Sequence, residues 1–289
     1  MNKYLMLLLL SVAVTYTAWA ENVPDASAGT TEQLERSIIY IPRKYKPDVV
    51  ERFVKAGGVR LDFNTDQGNQ SAFVVLPQQG KKPERLWVIC GGNATVALDW
   101  ASHCRSLPFK SDAYLLIDYP GYGTCAGNPS PKGIRDNLKA AISAGCKELK
   151  IPADEIARTT CVFGHSLGCA AALIAAEEFK CKSAVLCSPF TSTPEMAHAV
   201  LGLPKDFPMT HKYDNRIGLT KLTENGGHAW IFHGKNDEVI PVAMSETLAR
   251  EFAKTVTFMP VENAGHNDIL EKAQQEILEA MKKARELDK

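Results

Sequence analysis

Ser166 stands at the centre of Gly164-His165-Ser166-Leu167-Gly168, where two glycines leave room for a sharp turn that holds a hydroxyl outward. A serine hydroxyl is a poor nucleophile near neutral pH, so chemistry there requires a base to take its proton and a carboxylate to orient that base. Asp237, in His233-Gly-Lys-Asn-Asp-Glu-Val-Ile-Pro241, is the candidate acid, with its neighbour Glu238 as the fallback. His266, in Asn263-Ala-Gly-His-Asn-Asp268, is the candidate base. Among the other histidines, His165 adjoins the serine and is expected to point away along the turn. His228 and His233 flank one apolar run and read as packing or loop residues, while His103, His198 and His211 lack a strand-end setting. The charged oxygen of a tetrahedral intermediate needs two backbone N–H donors. Leu167 N–H, directly after the serine, is the first. Cys90-Gly-Gly-Asn-Ala94 offers Asn93 N–H as the second, with Gly92 as runner-up. Gly-x-Ser-x-Gly alone is permissive, and its weight depends on the elements around it.

Those elements follow an alternating plan. Val59–Phe63 and Ser71–Leu76 flank a polar stretch and read as an early antiparallel hairpin. From Leu86 the pattern turns to short, almost wholly apolar runs: Leu86–Cys90, Ala113–Ile117, Thr160–Phe163, Ser183–Cys187, Ala229–Phe232 and Val256–Val261. Separated by helical segments, they signify parallel strands covered on both faces, an α/β fold with a mostly parallel central sheet. Ser130-Pro131 caps a helix whose Ile134, Leu138, Ala141 and Ile142 share one face. A second helix, about Leu167–Phe179, is apolar nearly all round, as a buried helix should be. A third is expected from about Asn267 to the C-terminus. Each candidate group then falls after a strand, at the end where open α/β sheets carry their sites.

The 289-residue chain carries 33 basic and 33 acidic residues. That balance gives no electrostatic footprint for nucleic acid or an anionic membrane. Lys3, the apolar run Leu5–Val14 and Ala18-Trp19-Ala20 match a secretory leader, so residues 1–20 are expected to be removed and the protein exported, periplasmic or secreted. No later stretch is apolar enough to predict an integral membrane segment. Residues 21–58 read as an N-terminal lead-in, 59–289 as one catalytic domain, and 190–227 as a small lid. Leu201, Leu203, Pro204, Phe207, Pro208 and Met209 could wall an acyl pocket there or only pack the lid. Eight cysteines in an exported chain permit disulfide bonds, although Cys90, Cys161 and Cys187 sit in apolar runs where a thiol packs as a small hydrophobe. Their spacing suits no zinc site, and neither metal nor cofactor is called for.

In order along the chain, Gly91-Gly-Asn-Ala94, Asp118-Tyr-Pro-Gly-Tyr-Gly123 with Gly127-Asn-Pro-Ser130, Gly164-His-Ser-Leu-Gly168, Ser188-Pro-Phe-Thr191, His233-Gly-Lys-Asn-Asp237 and Gly265-His266 resemble the serine α/β-hydrolases. The likeness is to the small-lidded, esterase- and thioesterase-like branch that includes protein depalmitoylases, and it runs from about Val59 to Leu287. It implies an α/β-hydrolase fold, Ser166, Asp237 and His266 as the triad, and Asn93 with Leu167 as the oxyanion hole. Relatives usually have His-Gly-Asn where this chain has Gly91-Gly-Asn93, and a second glycine where it has Cys169. The expected activity is hydrolysis of a carboxylic ester or thioester, on a small-molecule or acylated substrate, through an acyl-enzyme. Peptide cleavage, acyl transfer, or a non-catalytic binding module on the same fold are the alternatives. An Asp-nucleophile enzyme is disfavoured because the turn holds serine.

Overall fold

The apolar runs form strands β1 (Val59–Thr65), β2 (Gly68–Val75), β3 (Leu86–Cys90), β4 (Ala113–Ile117), β5 (Thr160–His165), β6 (Ser183–Cys187), β7 (His228–Gly234) and β8 (Val256–Val261). The computed structural model describes residues 28–79 and 82–287, so the expected leader and its cleavage site lie outside the described residues. The strands make one eight-stranded sheet in the order β1-β2-β4-β3-β5-β6-β7-β8. β1 and β2 pair antiparallel, as the polar turn between them requires, and β2 lies antiparallel to β4. Every later pair is parallel. All residues of β3, β4, β5 and β6 are buried, the condition that makes a strand read as a continuous apolar run.

The helices are α1 (Ala28–Ile39), α2 (Val49–Lys55), α3 (Ala101–Ser106), α4 (Pro131–Glu148), α5 (Ile156–Thr159), α6 (Leu167–Phe179), α7 (Thr193–Leu201), α8 (Asn215–Glu224), α9 (Val242–Glu251), α10 (Ile269–Lys272) and α11 (Gln274–Glu286). α4 begins as its residues dictate: Ser130 Oγ accepts from Gly133 N–H at 3.0 Å, and Pro131 fills the first turn. Alternate strand residues feed two cores. Leu86, Val88 and Leu115 pack with Ile134 and Leu138 of α4, Leu173 of α6, Leu219 of α8 and Leu248 of α9. Trp87, Ile89 and Leu116 pack on the opposite face with Cys104 of α3 and with Ile269, Ile277 and Met281 of α10 and α11. Among the described residues no helix is long and apolar enough to cross a membrane.

Three expectations change. The eight cysteines form no disulfide, and all are buried as reduced thiols. They occupy core positions, six on strands or helices and Cys125 and Cys181 in loops, where sulfur serves as apolar fill and a weak donor; Cys169 Sγ, for example, lies 3.2 Å from the Cys187 carbonyl. The C-terminal helix is broken at Ala273, with Ile269 before the break and Ile277 after it both buried in the core. The lead-in contains two helices. α1 hides its signal by inverting the usual amphipathic rule, since Leu34 and Ile38 face outward while Glu35 is buried and accepts from the N–H groups of Thr210 and His211 at 2.8 and 2.9 Å.

Within 190–227, α8 packs on α6, with Gly218 against Leu173. The excursion above the sheet is therefore α7 and the loop that returns from it, joined at its base by a bridge between Ser192 and Asp214. Leu201, Leu203, Phe207 and Met209 are half-buried there, and Pro204 and Pro208 are exposed.

Candidate active site

β4 and β5 lie on opposite sides of β3, so the chains leaving β3 and β5 diverge and open a crevice at their carboxyl ends. Ser166 sits at that point. It links β5 to α6 with φ 56° and ψ −124°, a conformation that costs a non-glycine residue on the order of 1–3 kcal/mol and survives only where its surroundings fix it. The fixing is visible. Ser166 N–H donates to the Cys187 carbonyl and Cys169 N–H to the Ser166 carbonyl, both at 2.9 Å. A Cβ at Gly164 would meet the Gly168 carbonyl oxygen at 2.5 Å, and one at Gly168 would overlap the carbonyls of Cys90 and Gly91. Both glycines are obligatory because backbone, not a yielding side chain, occupies the space.

The loop after β3 closes on the serine from the other side. A Cβ on Gly92 would lie 3.3 Å from Ser166 Cβ and 2.9 Å from His165 Nδ1. Gly91 has no room for a side chain of its own to hold the loop: its missing Cβ position is 2.5 Å from Thr95 Oγ1 and 2.7 Å from Trp100 Nε1. Tyr119 instead anchors this loop, donating its hydroxyl to the Gly91 carbonyl at 2.8 Å. Asn93 is pinned by its side chain. Oδ1 accepts from Ile41 N–H at 2.7 Å, Tyr122 hydroxyl at 2.7 Å and Ala94 N–H at 3.0 Å, and Nδ2 donates to the Ile39 carbonyl at 2.7 Å. The chain after α1 is thus strapped to the candidate oxyanion loop. Leu167 opens α6, where the first N–H groups have no intrahelical acceptor.

Asp237 and His266 come from the loops after β7 and β8. The Gly234 and Ala264 backbones are in contact, which brings the loops together, and Asn236 N–H donates to the Ala264 carbonyl at 2.9 Å. His266 Nδ1 donates to Asp237 Oδ2 at 2.8 Å, leaving Nε2 as the ring nitrogen available to Ser166. Asp237 Oδ1 accepts from the N–H groups of Val239 and Ile240, each at 2.8 Å. The carboxylate is fully buried and His266 is 9% exposed. Burial alone would raise the Asp237 pKa, but hydrogen bonds from His233 and His266 and from the Ile240 amide outweigh it and hold the carboxyl well below the usual range. Glu238, the fallback acid, is exposed.

Two histidines have roles that their positions in the sequence did not suggest. His165 does not simply point away: its Nε2 donates to the His266 carbonyl at 3.0 Å, and the two rings lie 5.0 Å apart. Burial, and then the neighbouring His266, lower its pKa to about 4, so it packs as a neutral ring between the loops. His233, read as a packing or loop residue, reaches Asp237 Oδ2 with Nε2 at 3.2 Å. Asp268 adds a cap, its Oδ1 accepting from Gly265 N–H at 2.7 Å. Cys169, close behind the nucleophile, is fully buried, and burial raises its pKa well above that of a free thiol, so it stays a neutral thiol. Among the described residues the Ser166 hydroxyl makes no hydrogen bond, and catalytic bonds of this kind often tighten only on substrate binding.

Residues 87–220 match a family described as "Alpha/beta hydrolase family". The human "Alpha/beta hydrolase domain-containing protein 17C" is 31% identical over 155 residues, 53% of this chain and 43% of that protein. This chain spans less than half the length of such curated relatives. An uncharacterized protein of Mycobacterium tuberculosis is 29% identical over 235 residues, 81% of each chain. Among solved structures, an alpha-beta hydrolase from Vibrio vulnificus superimposes with a TM-score of 0.67 at 14% identity, covering 89% of this chain and 95% of that one. An esterase from Pyrococcus furiosus gives 0.64 at 14% identity over 86% and 97%. At such identities the structures establish a shared fold.

Proposed function

We propose that the chain is a serine hydrolase of the α/β-hydrolase superfamily acting on carboxylic esters or thioesters, with Ser166, His266 and Asp237 as the triad, a reading that the family match over residues 87–220 supports. The observation that carries this reading is the convergence of Ser166, held at positive φ, with a Gly-Gly-Asn loop against its Cβ and a buried Asp237–His266 pair from the two following loops.

In the proposed cycle, substrate binding brings Ser166 Oγ to His266 Nε2. Oγ attacks the acyl carbon while its proton passes to Nε2, and the carbonyl oxygen becomes an oxyanion. Leu167 N–H and Asn93 N–H hold that oxyanion as it forms. His266 then returns the proton to the leaving oxygen or sulfur, the carbon–heteroatom bond breaks and an acyl-enzyme remains. Water attacks the acyl-enzyme as His266 takes its proton, then the C–Oγ bond breaks while that proton passes to Ser166 Oγ, releasing the carboxylic acid and restoring the serine. Asp237 fixes the tautomer that leaves Nε2 unprotonated and faces the imidazolium that forms. The strap Ile39–Ile41 and the excursion bearing α7 border the substrate, with Leu203, Phe207 and Met209 as candidate acyl contacts. The leader in residues 1–20 supports export of the mature enzyme.

A chain-length series of nitrophenyl esters, with thioester and peptide substrates beside it, tests the reading on wild-type and Ser166→Ala. Ester or thioester turnover that vanishes in Ser166→Ala is expected. Equal background rates for the two proteins across the whole panel would refute it.

A further inference from the structure

We infer that His233 is a positioning residue for catalysis, a second histidine that holds Asp237 Oδ2 where His266 needs it and is itself braced by Ser245. This rests on the triad reading above. His233 is the penultimate residue of β7 and is fully buried, so it cannot touch substrate. Its Nε2 faces two groups that only accept, Asp237 Oδ2 at 3.2 Å and the Ile240 carbonyl at 2.9 Å, so that nitrogen carries a proton in either ionisation state of the ring.

Nδ1 lies 2.6 Å from Ser245 Oγ, which is also 3.3 Å from the Pro189 carbonyl. A hydroxyl suits both states of the ring. It donates to an unprotonated Nδ1, or accepts from a protonated one and turns its own proton to Pro189. No polar atom of this buried pair is left without a partner, which is the condition for a polar network to rigidify rather than weaken a core.

The consequence falls on Asp237. Two backbone amides take Oδ1, while His266 and His233 share Oδ2. With His233, the carboxylate has a donor on every side and one orientation. Without it, Oδ2 keeps only the bond to His266, and the acid can turn about its amide-bound oxygen. The loss would appear as a less well-oriented base, hence in kcat, and not in substrate binding.

The test uses the full chain with His233→Leu, His233→Gln and Ser245→Ala, reading kcat, KM, the pH profile of kcat/KM and thermal unfolding on one nitrophenyl ester. His233→Leu is expected to lower kcat roughly ten- to a hundredfold, the worth of one hydrogen bond to a charged group, with KM unchanged. His233→Gln, whose amide nitrogen reaches the place of Nε2, should recover most of the loss, and Ser245→Ala should fall between. The titratable groups facing Asp237 are His266, His233 and, across the turn, His165. Removing one donor strengthens the carboxylate's hold on the His266 proton, so the acid limb of the profile should move to higher pH in His233→Leu. Wild-type kcat and an unmoved pH profile in His233→Leu would overturn the inference, whatever happens to its melting temperature. So would a His233→Gln no better than leucine. If His233→Leu fails to fold, glutamine and Ser245→Ala carry the comparison, and wild-type values in both would overturn it. Should wild-type turnover survive Ser166→Ala unchanged, the triad reading itself falls, an outcome distinct from either result at His233.

Discussion

Replacing Asp237 by asparagine keeps the side chain's shape and removes its charge, and the structure dictates which way the amide must sit. Every contact to the carboxylate is a donor: Val239 and Ile240 N–H at 2.8 Å on Oδ1, and His266 Nδ1 at 2.8 Å with His233 Nε2 at 3.2 Å on Oδ2. An amide nitrogen turned to the backbone pair would set N–H against N–H at Val239 and Ile240, losing two hydrogen bonds at about 0.5–1.5 kcal/mol each, and those groups cannot change their protonation. The histidines can. The amide oxygen therefore keeps the backbone side, and the nitrogen faces His266, whose ring must present an unprotonated Nδ1. Its proton then moves to Nε2, the atom that has to accept from Ser166. The wrong tautomer is expected to cost roughly ten-thousandfold in kcat, about 5.5 kcal/mol of transition-state stabilisation, with little change in KM. Steady-state hydrolysis of a nitrophenyl ester at neutral pH, below the variant's unfolding temperature, measures it. A folded Asp237→Asn protein with more than about a tenth of wild-type kcat would refute the reasoning, since Asp237 would then not be setting the tautomer of the base.

Gly168→Ala should lose roughly 3 kcal/mol or more, because its Cβ would overlap the Cys90 and Gly91 carbonyls, whereas Gly202→Ala, with open space but φ +69°, should lose only about 1 kcal/mol; urea unfolding of both separates the two causes. Asn93→Ala removes the clamp on Ile39 and Ile41, so hydrogen exchange at the Ile41 amide should accelerate and kcat should fall together with it. The pH dependence of stability has a definite sign at His165. Its pKa is about 4 in the folded protein against about 6.5 unfolded, so its contribution is complete above pH 6.5 and lost as pH falls toward 4, up to about 3 kcal/mol. Buried Asp118, raised to about 6 chiefly by burial, works the opposite way over the same range, so the difference between wild-type and His165→Gln unfolding curves isolates the histidine. A difference that stays flat from pH 7 to 4 would contradict the assignment.

The sheet was legible because buried parallel strands leave little freedom of composition: β3, β4 and β6 begin and end where the apolar runs do. The candidate site was legible because Ser166, Asp237 and His266 each follow such a run. Local turn chemistry cannot reveal which side chains meet across loops, and that is where the reading fell short. His233 and Asp237 are four residues apart, yet their contact depends on the loop folding back so that Ile240 N–H reaches the carboxylate. The signal was a polar ring at the end of an otherwise apolar strand, a position that burial makes costly unless a partner exists. α1 was missed for a related reason, since Glu35 faces in to meet the Thr210 and His211 amides, and no periodicity of apolar residues marks a helix held that way. The cysteines show the converse. Their even number suggested cross-links, whereas their apolar neighbours, as at Cys161 and Cys187, were the better guide.

The most direct test of the account is covalent labelling of the folded full chain with a fluorophosphonate, read by intact mass and by peptide mapping. The account predicts a single adduct on Ser166, absent from Ser166→Ala and formed far more slowly in His266→Ala. No adduct on folded wild-type protein, under conditions that label a control esterase, or an adduct on another residue, would contradict it.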